Sequence, residues 1–236
     1  MITRIVFACS GSADSLAAIP RLASALGAEV VALTLDVGQP AELEGVRQAA
    51  LAAGAVRAHV IDARHEFARH CIASSRDEQA PSARPLVART LVEVALIEGA
   101  TIVAHGGDAR DHAEIEAAAR AVDRSVRVIA VHAGDTGVDH AVQPTLWERA
   151  PGRPELNEPA RLEIAFEGGL PVSVNGVPMA LTELIESVAT IAAAPAAVVF
   201  QAAHEALGAG ASSAPGATVC LELFNGQHRV LSAHHS

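Results

Sequence analysis

Residues 4–17 read "RIVFACSGSADSLA". A short apolar run passes through "ACSGS" into a stretch whose leucine and alanines suit a helix. A buried strand that enters a turn of small residues and opens a helix aims backbone N–H groups and a positive dipole end at one point. Ser10, Gly11, Ser12, Asp14 and Ser15 occupy that point. The turn is no Walker A loop, because the chain contains no lysine, and it does not spell G-x-G-x-x-G. It is close to Ser-Gly-Gly-x-Asp-Ser, the pyrophosphate loop of enzymes that split ATP between its α and β phosphates. A strand–helix turn closed by a Ser or Asp cap is the plainer reading of the same residues.

Outward from this turn, strand and helix alternate. Apolar runs at 4–9, 27–38, 56–63, 100–106 and 126–133 read as strands. Helical patterns at 14–26, 41–54, 64–75, 83–99 and 111–122 separate them, with Pro20 a local irregularity in the first. Such alternation implies βαβ units and a parallel sheet of five strands with flanking helices. The ATP-binding α/β domain is expected over 1–135 and a proline-rich connection over 136–160. A small α+β region is expected over 161–236, with a hairpin at 161–176 and a helix at 180–194. Residues 202–216 end in a flexible Gly/Ser/Ala stretch, and Asn225-Gly226 between two apolar runs signals a last hairpin.

Composition removes several function classes. The chain has 236 residues and a net charge of −10, with all 17 basic residues arginine and none clustered. That balance argues against a nucleic-acid surface. Tyrosine is absent and aromatics make up 3%, so base-stacking platforms are scarce. No apolar run approaches the roughly 18 residues of a membrane span. The N-terminal apolar stretch is too short for a signal peptide, so the expected location is the cytoplasm, without membrane partners. Cys9, Cys71 and Cys220 form no CxxC pair and read as small buried hydrophobes, with Cys9 set apart by its place beside the turn.

Seven segments occur in a telling order: "ACSGSADSLAAI" (8–19), "TLDVGQ" (34–39), "ARPLVA" (83–88), "VAHG" (103–106), "TLWER" (145–149), "IAFEGGLPVSVNG" (164–176) and "LTELIE" (181–186). Together they resemble the argininosuccinate synthase family over nearly the whole chain. The resemblance implies an adenine nucleotide alpha hydrolase-like α/β fold and an ATP-dependent, AMP-forming ligase. In the family the ureido oxygen of citrulline is adenylated, and the amine of aspartate then displaces AMP. ATP and Mg²⁺ are the implied cofactors and small molecules the implied partners. Ala8, Ser10, Gly11, Ser12, Asp14 and Ser15 match the phosphate loop, with Asp14 and Ser15 as catalytic candidates. Leu35 matches the residue beside adenine through its backbone, and Gly106 a further nucleotide contact. Arg84, Asp108, Arg110 and Asp111 fall where the family binds its substrates.

Several positions depart from the family pattern. Ser12 stands where the family has a second glycine, and a non-glycine residue at positive φ there would be strained. Leu16 replaces a hydroxyl residue. The tyrosine that holds citrulline is absent, and Pro81 and Ala141 stand at two positions usually filled by serine. "GDARDH" (107–112) replaces the family's aspartate-binding loop and places Asp108 and Asp111 before a dianion. One such repulsion at about 4 Å and an effective dielectric of 20 is roughly 4 kcal/mol before screening. Aspartate is therefore a poor nucleophile for this loop, which suits an amine or a cation better. The chain is shorter than the family, with the missing piece around 200–217, the region of the family's oligomerisation arm. Its usual tetramer is doubtful, and a homodimer through the apolar hairpins is the expectation.

Other groupings carry two readings each. Asp108, Asp111 and His112, with His105, form either a metal contact or a solvated helix start. Arg84 either faces phosphates or pins the helix that Pro85 opens. Trp147 is a packing anchor or a substrate contact. Two further function classes stand beside the ligase: a non-catalytic nucleotide-binding relative, and an adenylating amine- or sulfur-transfer enzyme using Cys9.

Overall fold

The computed structural model describes residues 3–39, 42–74, 83–131, 158–208, 216–224 and 227–235. Its contacts divide the chain into two units. The first is built on a parallel sheet of β1 (Thr3–Ala8), β2 (Ala28–Asp36), β3 (Arg57–Asp62), β4 (Ile102–His105) and β5 (Arg127–Ala130). The spatial order is β3-β2-β1-β4-β5. All five strands foreseen in the sequence are present, and each neighbouring pair is parallel.

The continuous apolar strands are explained by helices on both faces. Side chains alternate along a strand, so Ile5 and Phe7 meet α1 (Ala13–Leu26) and α2 (Leu43–Ala52), through residues such as Ile19, Leu22 and Ala50. Val6 points the other way, with Val31, Leu33 and Val103, onto α4 (Arg84–Glu98) and α5 (Ala109–Val122). Ile5, Val6 and Phe7 have no exposed surface. Gly27 and Gly99 end α1 and α4 in the left-handed conformation that a helix C-terminus favours.

Pro20 does not interrupt α1, which runs unbroken from Ala13 to Leu26. The ring is exposed, and proline removes the i→i−4 hydrogen bond to the Leu16 carbonyl one turn earlier.

The far edge of this sheet carries an ionic cluster. Glu98, at the end of α4, accepts from Arg57 at 2.9 Å, from Arg4 at 3.3 Å and pairs with His59 at 2.9 Å. Its side chain is 1% exposed. Burial pushes the carboxyl up, but the hydrogen bonds from His59 and Arg57 outweigh it and hold the group below the usual range. The cluster ties the starts of β1 and β3 to the helix that covers them.

The second unit holds an antiparallel sheet of order β10-β9-β6-β7-β8. Its strands are β6 (Ala160–Glu167), β7 (Leu170–Val174), β8 (Val177–Pro178), β9 (Ala217–Phe224) and β10 (Gln227–His235). Period-two burial marks β6, where Leu162, Ile164 and Phe166 are inside, and β9, where Ala217, Val219, Leu221 and Leu223 are inside. α6 (Leu181–Ala192), α7 (Ala196–Leu207) and α3 (Arg64–Ser74) pack with this sheet. α3 follows β3 in sequence yet belongs to this unit, so the units interleave along the chain and no single cut at residue 135 separates them. α7 has no counterpart among the expected elements, and residues 202–207, read as leading into a flexible stretch, are helical.

Residues 209–215, the Asn225-Gly226 turn, Pro81, Ala141 and Trp147 lie outside the described residues. No single described helix is long and apolar enough to cross a membrane.

Candidate functional site

In a doubly wound sheet, ligands bind beyond the carboxyl ends of the strands where the order reverses. Here the reversal falls between β1 and β4, which pair with Phe7 opposite Ala104. Cys9–Ser12 leave the end of β1 and Gly106–Asp108 leave the end of β4. The two loops singled out in the sequence are therefore neighbours for a topological reason.

The β1 loop is built by four interactions. Cys9 extends the ladder, donating from its N–H to the Leu33 carbonyl at 2.8 Å. The buried Thr34 hydroxyl donates to the Cys9 carbonyl at 2.8 Å and fixes where the strand ends. Gly11 then turns with φ +82°, and a Cβ there would stand 2.6 Å from Val46 Cγ2. Only glycine fits, because the conformation disfavours L side chains and α2 already fills the space. Ser12 caps α1: its side chain accepts from the Ser15 N–H at 3.3 Å, and its carbonyl accepts from Leu16 N–H and the Ser15 hydroxyl.

Ser12 has φ −65° and ψ 156°, ordinary extended backbone. The strain foreseen for a serine at this position does not arise, because the left-handed turn is made one residue earlier, at Gly11. The Ser10 hydroxyl lies 3.1 Å from that of Ser12 and 3.3 Å from that of Ser15, so three hydroxyls converge at the start of α1. Cys9 Sγ is 3.6 Å from the Ser15 hydroxyl and buried. Asp14 lies in the first turn of α1. Ala8 and Leu35 are half-buried, both against the core under α4 and α5.

The β4 loop is satisfied largely from within. Asp108 caps α5, accepting from the Asp111 N–H at 2.8 Å, while Asp111 Oδ2 accepts from the Asp108 N–H at 3.2 Å. This reciprocal pair is a capping box with aspartate in both places. The Asp111 N–H is the first influence holding the Asp108 carboxyl below its ordinary value, with the Arg110 N–H and the Arg84 and Arg110 charges adding to it. Gly107 lets the Asp111 side chain fold back, since a Cβ at 107 would meet Asp111 Cβ and Oδ2 at 2.5 Å. A Cβ at Gly106 would meet nothing within 4 Å.

Arg84 opens α4 and bridges to α5, pairing with Asp111 Oδ1 and, at 3.2 Å, with Glu114. These contacts tie the start of α4 to the first turns of α5. Arg110 also pairs with Glu114, at 3.2 Å. His105 and His112 are bonded to each other, Nε2 to Nδ1 at 3.0 Å, so one nitrogen of each ring is engaged within the protein. Among the described residues no group of three or more His, Cys, Asp or Glu is arranged to hold a metal ion. Sequence reading singled out the members of this loop but missed their pairing, whose only linear trace is the seven-residue spacing of the two histidines.

A parallel sheet of order 3-2-1-4-5 with a glycine-bearing turn and a helix N-terminus at its reversal point defines a nucleotide-binding domain of the adenine nucleotide alpha hydrolase type. A family model described as the argininosuccinate synthase N-terminal HUP domain matches residues 4–136. Argininosuccinate synthase of Dehalococcoides mccartyi is 30% identical over a gapped alignment of 286 positions, covering 88% of this chain and 70% of that protein. The enzyme of Oleidesulfovibrio alaskensis is 42% identical over 141 residues, covering 55% and 35%. That of Moorella thermoacetica is 30% identical over 247 residues, covering 81% and 60%. The chain belongs to the argininosuccinate synthase family, a ligase family that binds ATP and functions in arginine biosynthesis. A predicted tRNA methyltransferase subunit from Methanocaldococcus jannaschii superposes with a TM-score of 0.40 at 18% identity, covering 57% of this chain and 70% of that one.

Proposed function

We propose that the chain is an ATP-dependent, AMP-forming carbon–nitrogen ligase whose second substrate differs from that of its relatives. The observation that carries this reading is the β1 loop: an obligate glycine at φ +82°, three converging hydroxyls and a capped helix start, all at the sheet's reversal point. Such a loop suits the leaving pyrophosphate, because oriented N–H groups, hydroxyls and the helix dipole all favour negative charge there.

In this reading Ser10, Gly11, Ser12 and Ser15 hold the phosphates, with Asp14 and Ser15 as the catalytic pair in the first turn. Ala8 and Leu35 offer their main chains to adenine, and the open face of Gly106 admits the nucleotide. Mg²⁺ accompanying the nucleotide supplies charge neutralisation. A carbonyl or ureido oxygen attacks the α-phosphorus and pyrophosphate leaves with the broken bond's electrons. An amine nitrogen then attacks the activated carbon, AMP leaves, and the nitrogen gives its proton to solvent.

The β4 loop favours a changed nucleophile. The N–H groups of Gly107, Asp108 and Asp111 are taken by His105, Asp111 and Asp108, and Arg84 is paired with Asp111 and Glu114. A substrate carboxylate would meet the Asp108 and Asp111 carboxylates and find the amides of Gly107, Asp108 and Asp111 already taken. An amine without a carboxylate suits this loop better than aspartate. A cytoplasmic location, small-molecule partners rather than nucleic acid or membrane, and a homodimer belong to the same proposal.

The test is ATP–pyrophosphate exchange with citrulline, and then AMP release with aspartate, ammonia or diamines as the nucleophile. Exchange together with AMP release that favours an amine over aspartate is expected, and Asp14→Asn should abolish both. Absence of exchange with citrulline and other ureido or carbonyl acceptors, together with no thermal shift by ATP and Mg²⁺, overturns the ligase reading in favour of a non-catalytic relative.

A further inference from the structure

His105 is the last residue of β4 and is 2% exposed. Its Nδ1 accepts from the Gly107 N–H at 3.1 Å. A backbone amide can only donate, so that nitrogen carries no proton and the neutral ring carries its proton on Nε2. This Nε2 lies 3.0 Å from His112 Nδ1, which must therefore accept. His112, in turn, carries its own proton on Nε2. One main-chain amide thus determines the tautomer of two imidazoles in series, and the stacked rings, 5.3 Å between centroids, hold their orientation.

The end of this relay is a half-buried N–H donor in the first turn of α5. Among the described residues no acceptor is recorded for His112 Nε2. Its position is informative. Phe7 pairs with Ala104, and Ala8 and His105 are the residues that follow on the two adjoining strands at the reversal. By strand alternation His105 shares the sheet face of Val103 and Ala8, the face that α5 covers. His112 is bonded to the last residue of β4, the strand that adjoins β1, whose end feeds the phosphate loop. Of the other polar groups of this region, the Asp108 carboxylate accepts from the Asp111 N–H, Arg84 pairs with Asp111 and Glu114, and Arg110 pairs with Glu114.

We propose that His112 donates from Nε2 to a phosphate oxygen of the bound nucleotide, and that His105 is the positioning residue that locks the donor tautomer. The inference rests on the nucleotide-binding reading above. It assigns the β4 loop a side-chain donor for phosphate, where the amides of Gly107, Asp108 and Asp111 are taken within the loop.

Nitrogen-15 spectra of the two imidazoles test it on the full chain. Both rings are expected as Nε2–H tautomers in the free protein. The His112 Nε2 resonance is expected to move on adding pyrophosphate or ATP with Mg²⁺ and to stay in place with aspartate. An Nδ1–H tautomer at His112, or a response to aspartate alone, overturns the proposal. If the Gly11 amide moves with ATP while His112 does not, the donor role falls and the nucleotide reading stands. If neither moves, both fall. His112→Ala should weaken ATP affinity about tenfold, the usual effect of losing a hydrogen bond to a charged group. His105→Ala should release His112 into a mixture of tautomers with a similar loss, and an unchanged tautomer in that variant overturns the locking role.

Discussion

Replacing Gly11 by alanine puts the loop reading under direct strain. Gly11 has φ +82°, where an L residue is disfavoured by about 1–2 kcal/mol. The new Cβ would stand 2.6 Å and 2.8 Å from the two methyls of Val46, against about 3.5–4.0 Å for an unstrained carbon pair. Moving α2 or rotating Val46 to relieve that contact costs about 1–3 kcal/mol, the range for overfilling a packed site. The two costs have different origins and sum to about 2–5 kcal/mol. Urea unfolding followed by circular dichroism measures the loss. Val46→Ala removes the two methyl contacts and leaves a closer-than-usual Cβ contact at 3.2 Å and the backbone cost, so the double variant should recover most of about 1–3 kcal/mol as coupling energy, while at least about 1–2 kcal/mol persists. A Gly11→Ala loss under about 0.5 kcal/mol, or no coupling to Val46, would refute the geometry on which the phosphate loop rests.

Three further outcomes follow from the same structure. Ser12→Ala should cost about 1 kcal/mol through loss of the cap on Ser15 N–H, and Ser12→Gly only a few tenths; a clear gain in urea midpoint from Ser12→Gly would show strained backbone and reverse the assignment of the turn to Gly11. Glu98→Gln should cost about 2–3 kcal/mol at neutral pH, because a buried carboxylate holding two arginines and a histidine becomes a weaker acceptor. Since the folded Glu98 carboxyl lies below its ordinary value, its contribution is complete above the unfolded pKa near 4.3 and fades as pH falls through the folded value. Urea midpoints between about pH 3 and 6 should therefore slope less in the variant, and parallel curves would dismiss the cluster. Gly107→Ala should drive Asp111 out of its capping box and raise the amide exchange rates of Asp108 and Asp111, whereas unchanged protection would mean that the close approach of Gly107 and Asp111 is not obligatory.

The strands of the first unit were legible because each is an apolar run buried on both faces, and a run such as "RIVF" has few other uses. β6 was legible for the opposite reason, since it alternates inside and outside with period two. α7 was not. "AAVVFQAAHEAL" presents buried Val199, Phe200, Ala203, His204 and Leu207 beside small alanines, so little polar contrast marks its helical period. The packing of α3 with the second sheet was equally hidden, because a helix reports its own amphipathicity and not which sheet will cover it.

For the site, local sequence determined the turn itself. A serine, a glycine and a second serine before a helix can make a left-handed step and a cap, and the chemistry of both lies within five residues. Which residue takes the positive φ was not local. Val46, thirty-five positions away, closes the space above Gly11 and assigns the turn to it, so Ser12 keeps an ordinary conformation. The acidic loop after β4 was visible as charge, and a helix start, a metal contact and a repelled substrate were all readings of it. Folding added the partners that charge could not show: Asp108 and Asp111 bind each other's amides, Arg84 spans from α4 to Asp111 and Glu114, and His105 meets His112. Sequence by itself determined the strand–turn–helix periodicity, the small-residue loop and the family. Tertiary structure alone decided which donors remain for a ligand, because a donor's availability depends on partners that the chain brings from other elements.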